Sequence, residues 1–376
     1  MRELLDLAQE IADKELRPAV DQAEREGRFP REAFRVLGRS GLLGLPYPER
    51  WGGGGQPYAL YLEVLEVLAR TWLTVGLGLS VHTLACFPLA AYGSDEQRDR
   101  WLPDMLGGDL LGAYCLSEPG SGSDAAALQT RAAAERGGYR LDGVKAWISH
   151  AGQADFYAVF ARTSGEPAGP GRAKGISCLH VPADTVGVRS APAEHKMGMR
   201  GSVTAQMVFE DAWVPADHLL GEEDRGFSIA LAALDSGRLG IAACATGMAQ
   251  AALDTAVSYA RERRQFGKPI IEFEGVGFML ADMATAVEAS RSLYLAAARR
   301  KDAGQEFSTQ AAMAKLLATD TAMRVATDAV QVLGGYGYVE DFPAERYMRE
   351  AKVLQIVEGT NQIQRLVIAR ALARDS

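Results

Sequence analysis

Hydrophobic positions along the chain change their period twice. From residue 1 to about 113 they recur at three- and four-residue intervals, the spacing of helices that bury one stripe. Breakers such as GRFP (27–30) and WGGGG (51–55) separate these helices. The opening MRELLDLAQEIADKELRP already has helical periodicity, so a helix is expected there and no secretory leader. Leu73 to Ala91 is the most apolar stretch and holds no Lys, Arg, Asp or Glu. Gly76, Gly78, His82 and Pro88 interrupt it, which points to a buried helix and not to a membrane span.

The middle of the chain reads as strands. In YRLDGVKAWIS (139–149) apolar residues flank an Asp-Gly pair, the signal of a hairpin turning at Asp142 and Gly143. DFYAVFAR (155–162), GISCLHVP (175–182) and TAQMVFED (204–211) are further β-like runs, and TSGEPAGPGRAKG (163–175) is a polar loop between them. After about residue 225 helical spacing returns in three long Ala-rich segments, 233–265, 278–300 and 308–333, with Met279, Met283 and Val287 marking one stripe. A further helix is expected from Ala344 to Val357 and a last one from Asn361 to Arg374. The order of textures is α, β, α. The expected class is α+β, mostly α, with a helical domain over 1–113, a β domain over 114–225 and a helical bundle over 226–376.

Composition narrows the function. Hydrophobic residues are 48% and charged residues 23% of the 376, an ordinary globular balance. A net charge of −8 leaves no basic excess for a nucleic-acid backbone. Cys86, Cys115, Cys178 and Cys244 form no C-x-x-C pair and read as single buried thiols in a reducing compartment, so a cytoplasmic location is expected. The five histidines show no metal-ligand spacing, and no metal is expected.

Four stretches carry candidate chemistry. In IVEGTNQIQ (356–364) the acid Glu358 follows an apolar run and precedes a Gly-Thr break. At an apolar helix C-terminus, desolvation and the dipole both disfavour its charge, raising its pKa toward what a general base needs. A solvent-exposed helix-end glutamate is the simpler account of that stretch taken alone. YCLSEPGSGSD (114–124) is a donor-rich loop that could meet an oxygen-rich ligand, or a plain turn. ARERRQFGKPI (260–271) ends a helix with clustered arginines, either a phosphate site or an exposed basic cap. QVLGGYGY (331–338) closes a helix with paired glycines.

These four stretches, in this order, resemble the acyl-CoA dehydrogenase family, as do GLLGLPYPERWGGGG and KMGMRGSVTAQMVFEDAWVPADHLLG. The resemblance covers essentially the whole chain. It implies an N-terminal helical domain, a central β domain and a C-terminal four-helix bundle, with bound FAD and an acyl-CoA substrate. Glu358 matches the catalytic base; some relatives carry it at the position of Gly237, where a glycine cannot serve. The stretch Tyr114 to Ser123, including Leu116, Ser117 and Gly122, matches the flavin loop, with Ser117 near the ring and Ser123 facing CoA. Trp147, Ile148 and Ser149 match the segment beside the flavin. Arg263 matches the residue that holds the FAD pyrophosphate of a neighbouring subunit, with Phe266 also a cofactor contact. The segment holding Gln331, Gly334 and Gly335 matches the same cofactor's lining across the dimer, and Thr360 and Gln362 match further FAD contacts. Asp235, Arg238 and Gly359 match substrate contacts.

The resemblance further implies α,β-dehydrogenation to the trans-2-enoyl-CoA: Glu358 takes the α-proton and the β-hydrogen leaves as hydride to flavin N5. It implies an electron-transferring flavoprotein as acceptor, a homotetramer built as a dimer of dimers, and a place in fatty-acid or branched-chain amino-acid catabolism. Many relatives have Tyr before the base where Val357 stands here, which bears on the width of the acyl pocket; the pair Gly237–Arg238 leans toward short- and branched-chain members. Two other readings share the scaffold. An oxygen-using flavin oxidase or monooxygenase is weighed against by the retained Glu358, and a non-catalytic CoA-binding protein by the intact flavin loops.

Overall fold

Six helices open the chain: α1 (Arg2–Ile11), α2 (Val20–Glu26), α3 (Arg31–Arg39), α4 (Tyr58–Thr71), α5 (Leu73–Tyr92) and α6 (Asp95–Gly107). The computed structural model describes residues 2–169 and 171–373. α6 starts with a reciprocal cap, Ser94 accepting from the Gln97 N–H while the Gln97 side chain accepts from the Ser94 N–H. α5 is the apolar stretch anticipated above, and it is buried over most of its length among other helices and the sheet. It and the later helix Gly226–Glu262 are long and apolar enough to cross a membrane, and both are mostly packed inside.

The middle is an eight-stranded sheet: β1 (Gly112–Cys115), β2 (Arg131–Glu135), β3 (Gly138–Ser149), β4 (Phe156–Arg162), β5 (Ile176–Pro182), β6 (Val188–Ser190), β7 (Thr204–Pro215) and β8 (Leu219–Leu220). The order is β6-β7-β3-β2-β4-β5-β8, with β1 parallel to β4. All seven residues of β4 are buried, because the sheet is covered on both faces there. The hairpin expected at Asp142 and Gly143 is absent. That pair lies inside the continuous strand β3, and the turn falls earlier, at Arg136 and Gly137. The register with β7 slips between Leu141 and Gly143, and the Asp142 carboxylate accepts the Asp211 N–H at 2.9 Å. A long cross-strand pairing has overruled a local turn signal by turning it into a bulge.

The C-terminal part holds α7 (Gly226–Glu262), the short strands β9 (Arg264–Gln265) and β10 (Lys268–Pro269), then α8 (Glu274–Asp302), α9 (Ser308–Leu333), α10 (Ala344–Leu354) and α11 (Asn361–Leu372). The most extensive helix pair is α7 with α9, both lined by alanines. Gly247 brings α7 against α4: a Cβ there would sit 2.3 Å from the Glu66 carbonyl oxygen, so any larger residue would part the helices. The shared core joins Leu62, Leu65 and Leu68 of α4 to Leu239 of α7, Val325 of α9 and Leu354 of α10. Each such leucine contributes about 1.5–3 kcal/mol on full burial. A polar tie crosses the same seam, Arg291 Nη2 donating to Glu66 at 2.7 Å and to Gln250 Oε1 at 2.9 Å.

Two helix limits differ from expectation. α10 stops at Leu354 and not at Val357, so Glu358 lies beyond the helix in a turn. α11 ends at Leu372; Arg374, the expected end, lies outside the described residues.

Candidate active site

The turn that carries Glu358 is unusual in its backbone. Glu358 has φ 51° and Gly359 φ 87°, two consecutive left-handed residues of which only the second is a glycine. A non-glycine residue pays on the order of 1 kcal/mol for that conformation, so surrounding bonds must hold it. They do. The buried Gln364 side chain donates to the Gly359 carbonyl at 2.8 Å, and Lys315 Nζ donates to the same oxygen at 3.0 Å. The Asn361 N–H reaches back to the Gln355 carbonyl at 3.0 Å. The cap of α11 is Thr360, whose hydroxyl accepts the Ile363 N–H at 3.3 Å. Asn361, the first residue of α11, points inward to Lys315, Thr319 and Asp320.

Part of the Glu358 residue remains open, yet both carboxylate oxygens are buried and neither has a hydrogen-bond partner. Burial raises its pKa to about 7, against the pull of the Lys315 and Arg238 cations. The raised value anticipated from the sequence therefore holds, with burial as its cause. Oε2 occupies the space a side chain at Gly237 would need: a Cβ there would meet it at 2.0 Å. Arg238, 5% exposed, puts Nη1 2.5 Å from Asp235 Oδ1, and Asp235 also accepts from the Ser308 hydroxyl at 2.8 Å. Beside Gly237 opens a cavity of about 120 Å³, walled by Tyr58, Ser80, Thr83, Leu84, Phe87 and Ser236 among others.

Tyr114, on β1, faces this region from the sheet; its ring lies 5.0 Å from that of Phe160 and its hydroxyl donates to the Ala230 carbonyl at 3.2 Å. Leu116 is buried behind it, and the Ser117 carbonyl accepts the Ala146 N–H at 2.9 Å, which lays the 117–123 loop against the end of β3. Gly122 and Ser123 are exposed at the loop's outer end. A bulge between Lys145 and Ile148 gives Trp147 φ 62° and turns its indole out of the sheet, 66% exposed, while Ile148 stays buried. Ser149, half-buried, pairs with Thr204. Gln362, exposed, lies in the first turn of α11.

A second group lies elsewhere. Arg263 caps α7, 26 residues beyond Gly237 and about 39 Å away at the usual helical rise. Its guanidinium lies 5.7 Å from the Tyr336 ring centroid, in an open groove of about 490 Å³ shared with Gln265, Gly334 and Gly335. A Cβ at either glycine would meet nothing within 4 Å, so both backbones face open space. Gln331 is exposed on the last turn of α9, and Phe266 is 93% exposed at φ 49°. The residues expected at a cofactor thus form two clusters that this chain does not itself bring together; Arg263 and the 331–335 segment are the ones expected to serve a neighbouring subunit.

Two buried lysines escaped the sequence reading. Lys315 sits in the run AAMAKLLA, with Ala311, Ala314, Ala318 and Ala322 on the same buried side of α9. A lone cation on the apolar stripe of a helix was the available signal. Lys145 sits in the strand VKAWI, buried against Glu118 at 2.8 Å, and alternation alone gave it no mark.

Comparison with known proteins identifies the arrangement. Three domain families match in series: acyl-CoA dehydrogenase N-terminal domain over 1–109, middle domain over 113–212 and C-terminal domain over 224–373. The mitochondrial short-chain specific acyl-CoA dehydrogenase of Homo sapiens is 44% identical over 375 residues, covering 99% of this chain and 89% of that protein. A chain in the structure of the electron transferring flavoprotein of Acidaminococcus fermentans superposes with a TM-score of 0.97 at 42% identity, over 99% of this chain and 97% of that one. Butyryl-CoA dehydrogenase from Megasphaera elsdenii superposes with a TM-score of 0.96 at 40% identity, over 99% and 97% respectively. The chain belongs to the acyl-CoA dehydrogenase family, whose members are FAD-dependent oxidoreductases acting on acyl-CoA.

Proposed function

We propose that the chain converts a short-chain acyl-CoA to its trans-2-enoyl-CoA, with Glu358 as the base that takes the α-proton. The observation that carries this reading is the Glu358 carboxylate: buried, unpaired, set in the gap left by Gly237, and poised at about 7. A carboxylate with an ordinary pKa is a poor base for a thioester α-proton, and one already paired would have to break a bond first. The Glu358 N–H serves as donor to the thioester oxygen as charge develops there.

The residues present fit FAD. A cation beside two glycines with open faces suits a pyrophosphate, the outward indole of Trp147 and the hydroxyl-rich 117–123 loop suit a ring system, and the N-terminus of α11 at Thr360 suits an oxygen-rich group. Bound FAD supplies the two-electron acceptor. Arg263, Phe266, Gln331, Gly334 and Gly335 hold the cofactor of a second copy of the chain, because their distance from Glu358 along α7 is too great for one site. A dimer is therefore the minimum working unit, within a tetramer. Asp235, Arg238, Ser123 and Gly359 stand toward the CoA side.

The cavity beside Gly237 is small, about 120 Å³, which suits a short acyl chain. The likeness to short-chain and butyryl-CoA dehydrogenases supports that preference. The likeness to a chain in an electron transferring flavoprotein structure supports such a flavoprotein as electron acceptor. Anaerobic titration of the FAD-loaded protein with straight and branched acyl-CoAs tests the reading. Short acyl-CoAs should bleach the flavin absorbance, and Glu358→Gln should slow this by about 10³-fold or more while still binding the thioester. Bleaching that survives in Glu358→Gln discards the assignment.

A further inference from the structure

Lys315 is 0% exposed in the first third of α9, and its ammonium makes no ion pair among the described residues. It spends its donors on neutral oxygens: the Gly359 carbonyl at 3.0 Å and Asn361 Oδ1 at 2.9 Å. Asn361 is itself held, donating from Nδ2 to Asp320 Oδ1 at 2.7 Å and to the Thr319 hydroxyl at 2.9 Å. Burying an ammonium without a carboxylate contact is costly, and a methionine would fill the same space among alanines more cheaply. The clamp falls on the carbonyl immediately after Glu358, in a turn with two left-handed residues.

We propose that Lys315 is a positioning residue for the base: bonded to the Gly359 carbonyl, it fixes the turn that carries Glu358 and holds a buried positive charge near the carboxylate without touching it. The proposal rests on Glu358 being the base. The groups that face Glu358 are few. α9 brings Lys315; α7 brings Arg238 and Cys244; α4 brings Tyr58 and Tyr61; β1 brings Tyr114. Burial keeps the thiol and the three phenols neutral. Arg238 is already engaged with Asp235 at 2.5 Å. Lys315 in turn faces Glu358, Asp320 and Arg238, and burial lowers it to about 8, so it remains largely charged where Glu358 titrates. It is the stronger of the two cations that oppose the effect of burial on Glu358.

The test compares FAD-loaded full-length Lys315→Met, Lys315→Gln and Lys315→Arg with the parent. Two quantities are read: the protonation midpoint of Glu358, from the infrared carboxylic-acid band that Glu358→Gln abolishes, and the pH dependence of flavin bleaching. Lys315→Met and Lys315→Gln should raise both midpoints by about one pH unit, which lowers bleaching at pH 7 about fivefold, approaches tenfold at lower pH, and restores it at higher pH. Lys315→Arg should keep the parent midpoint. Lys315→Gln retains a donor, so it carries the test should Lys315→Met fail to fold. An infrared midpoint that stays put in folded, flavin-bearing Lys315→Gln overturns the proposal. A midpoint that moves while Glu358→Gln still bleaches the flavin overturns the choice of base and supports the charge coupling.

Discussion

Two places in this molecule bury a lysine near a glutamate, and they behave oppositely. At the 117–123 loop Lys145 donates to Glu118 Oε1 at 2.8 Å and to the Leu116 carbonyl at 3.1 Å. Glu118 also accepts the N–H groups of Gln129 at 2.6 Å and Thr130 at 2.9 Å. Burial alone would raise the Glu118 pKa, but the Lys145 charge and these donors bring it below the usual value. At the turn after α10 the ammonium of Lys315 is placed on carbonyl oxygens, and the Glu358 carboxylate is left without a partner at about 7. Contact makes a strut that locks a loop. A cation held one step away leaves a carboxylate that is ionisable yet uncommitted.

The comparison breaks first at the strut. Lys145→Met leaves Glu118 buried without its cation, which should cost about 3–5 kcal/mol in urea unfolding. A loss under about 1 kcal/mol would mean that the pair is not what holds the loop. Next in size is the space around the Glu358 carboxylate, the proposed base. Gly237→Ala drives a methyl into the position of Glu358 Oε2, 2.0 Å from the ideal Cβ, so the carboxylate must move. Displacing a reacting group by about 1 Å costs on the order of 100-fold in rate, and the rapid anaerobic bleaching of flavin by butyryl-CoA would show it. Parent-like bleaching would place the reacting carboxylate elsewhere.

The smallest expected effect is thermodynamic. Glu358 has a folded pKa of about 7, above the usual carboxylate value. The folded state therefore binds its proton more tightly than the unfolded chain. That contribution to stability is complete in acid and is lost as pH rises through about 7. Glu358→Gln cannot ionise, so it should match the parent near pH 4 and exceed it at pH 8 by on the order of 2 kcal/mol, allowing for the partly open residue. Equal urea midpoints at both pH values would show that the carboxylate is not held as the geometry indicates. Glu118, already lowered, should give no such gain on substitution by Gln.

Much of this protein could be read along the chain. The α5 stretch, the strands DFYAVFAR and GISCLHVP, and the three long Ala-rich helices follow from period and composition, because the side chains that define them face a core that needs the same pattern. IVEGTNQIQ pointed to a carboxylate with a raised pKa, since an apolar run next to an acid predicts desolvation wherever the run is buried. Some short strands and turns were not legible. β1, β2 and β6 are three to five residues long, too short for a period to declare itself. Asp142–Gly143 has the local chemistry of a turn, but pairing with β7 across more than sixty residues made it a bulge.

The sequence by itself thus determined the order of the long helices and the main strands and singled out the acid at 358, because both depend on neighbours along the chain. Only the tertiary structure decided that Asn361 turns inward and leaves Thr360 to cap α11, and that Lys145 meets its carboxylate while Lys315 does not. Those outcomes depend on groups brought together from distant segments. A charge's effect on a neighbour is set by a few ångströms of through-space distance and by exclusion of water, and neither quantity is written in the spacing of residues along the chain.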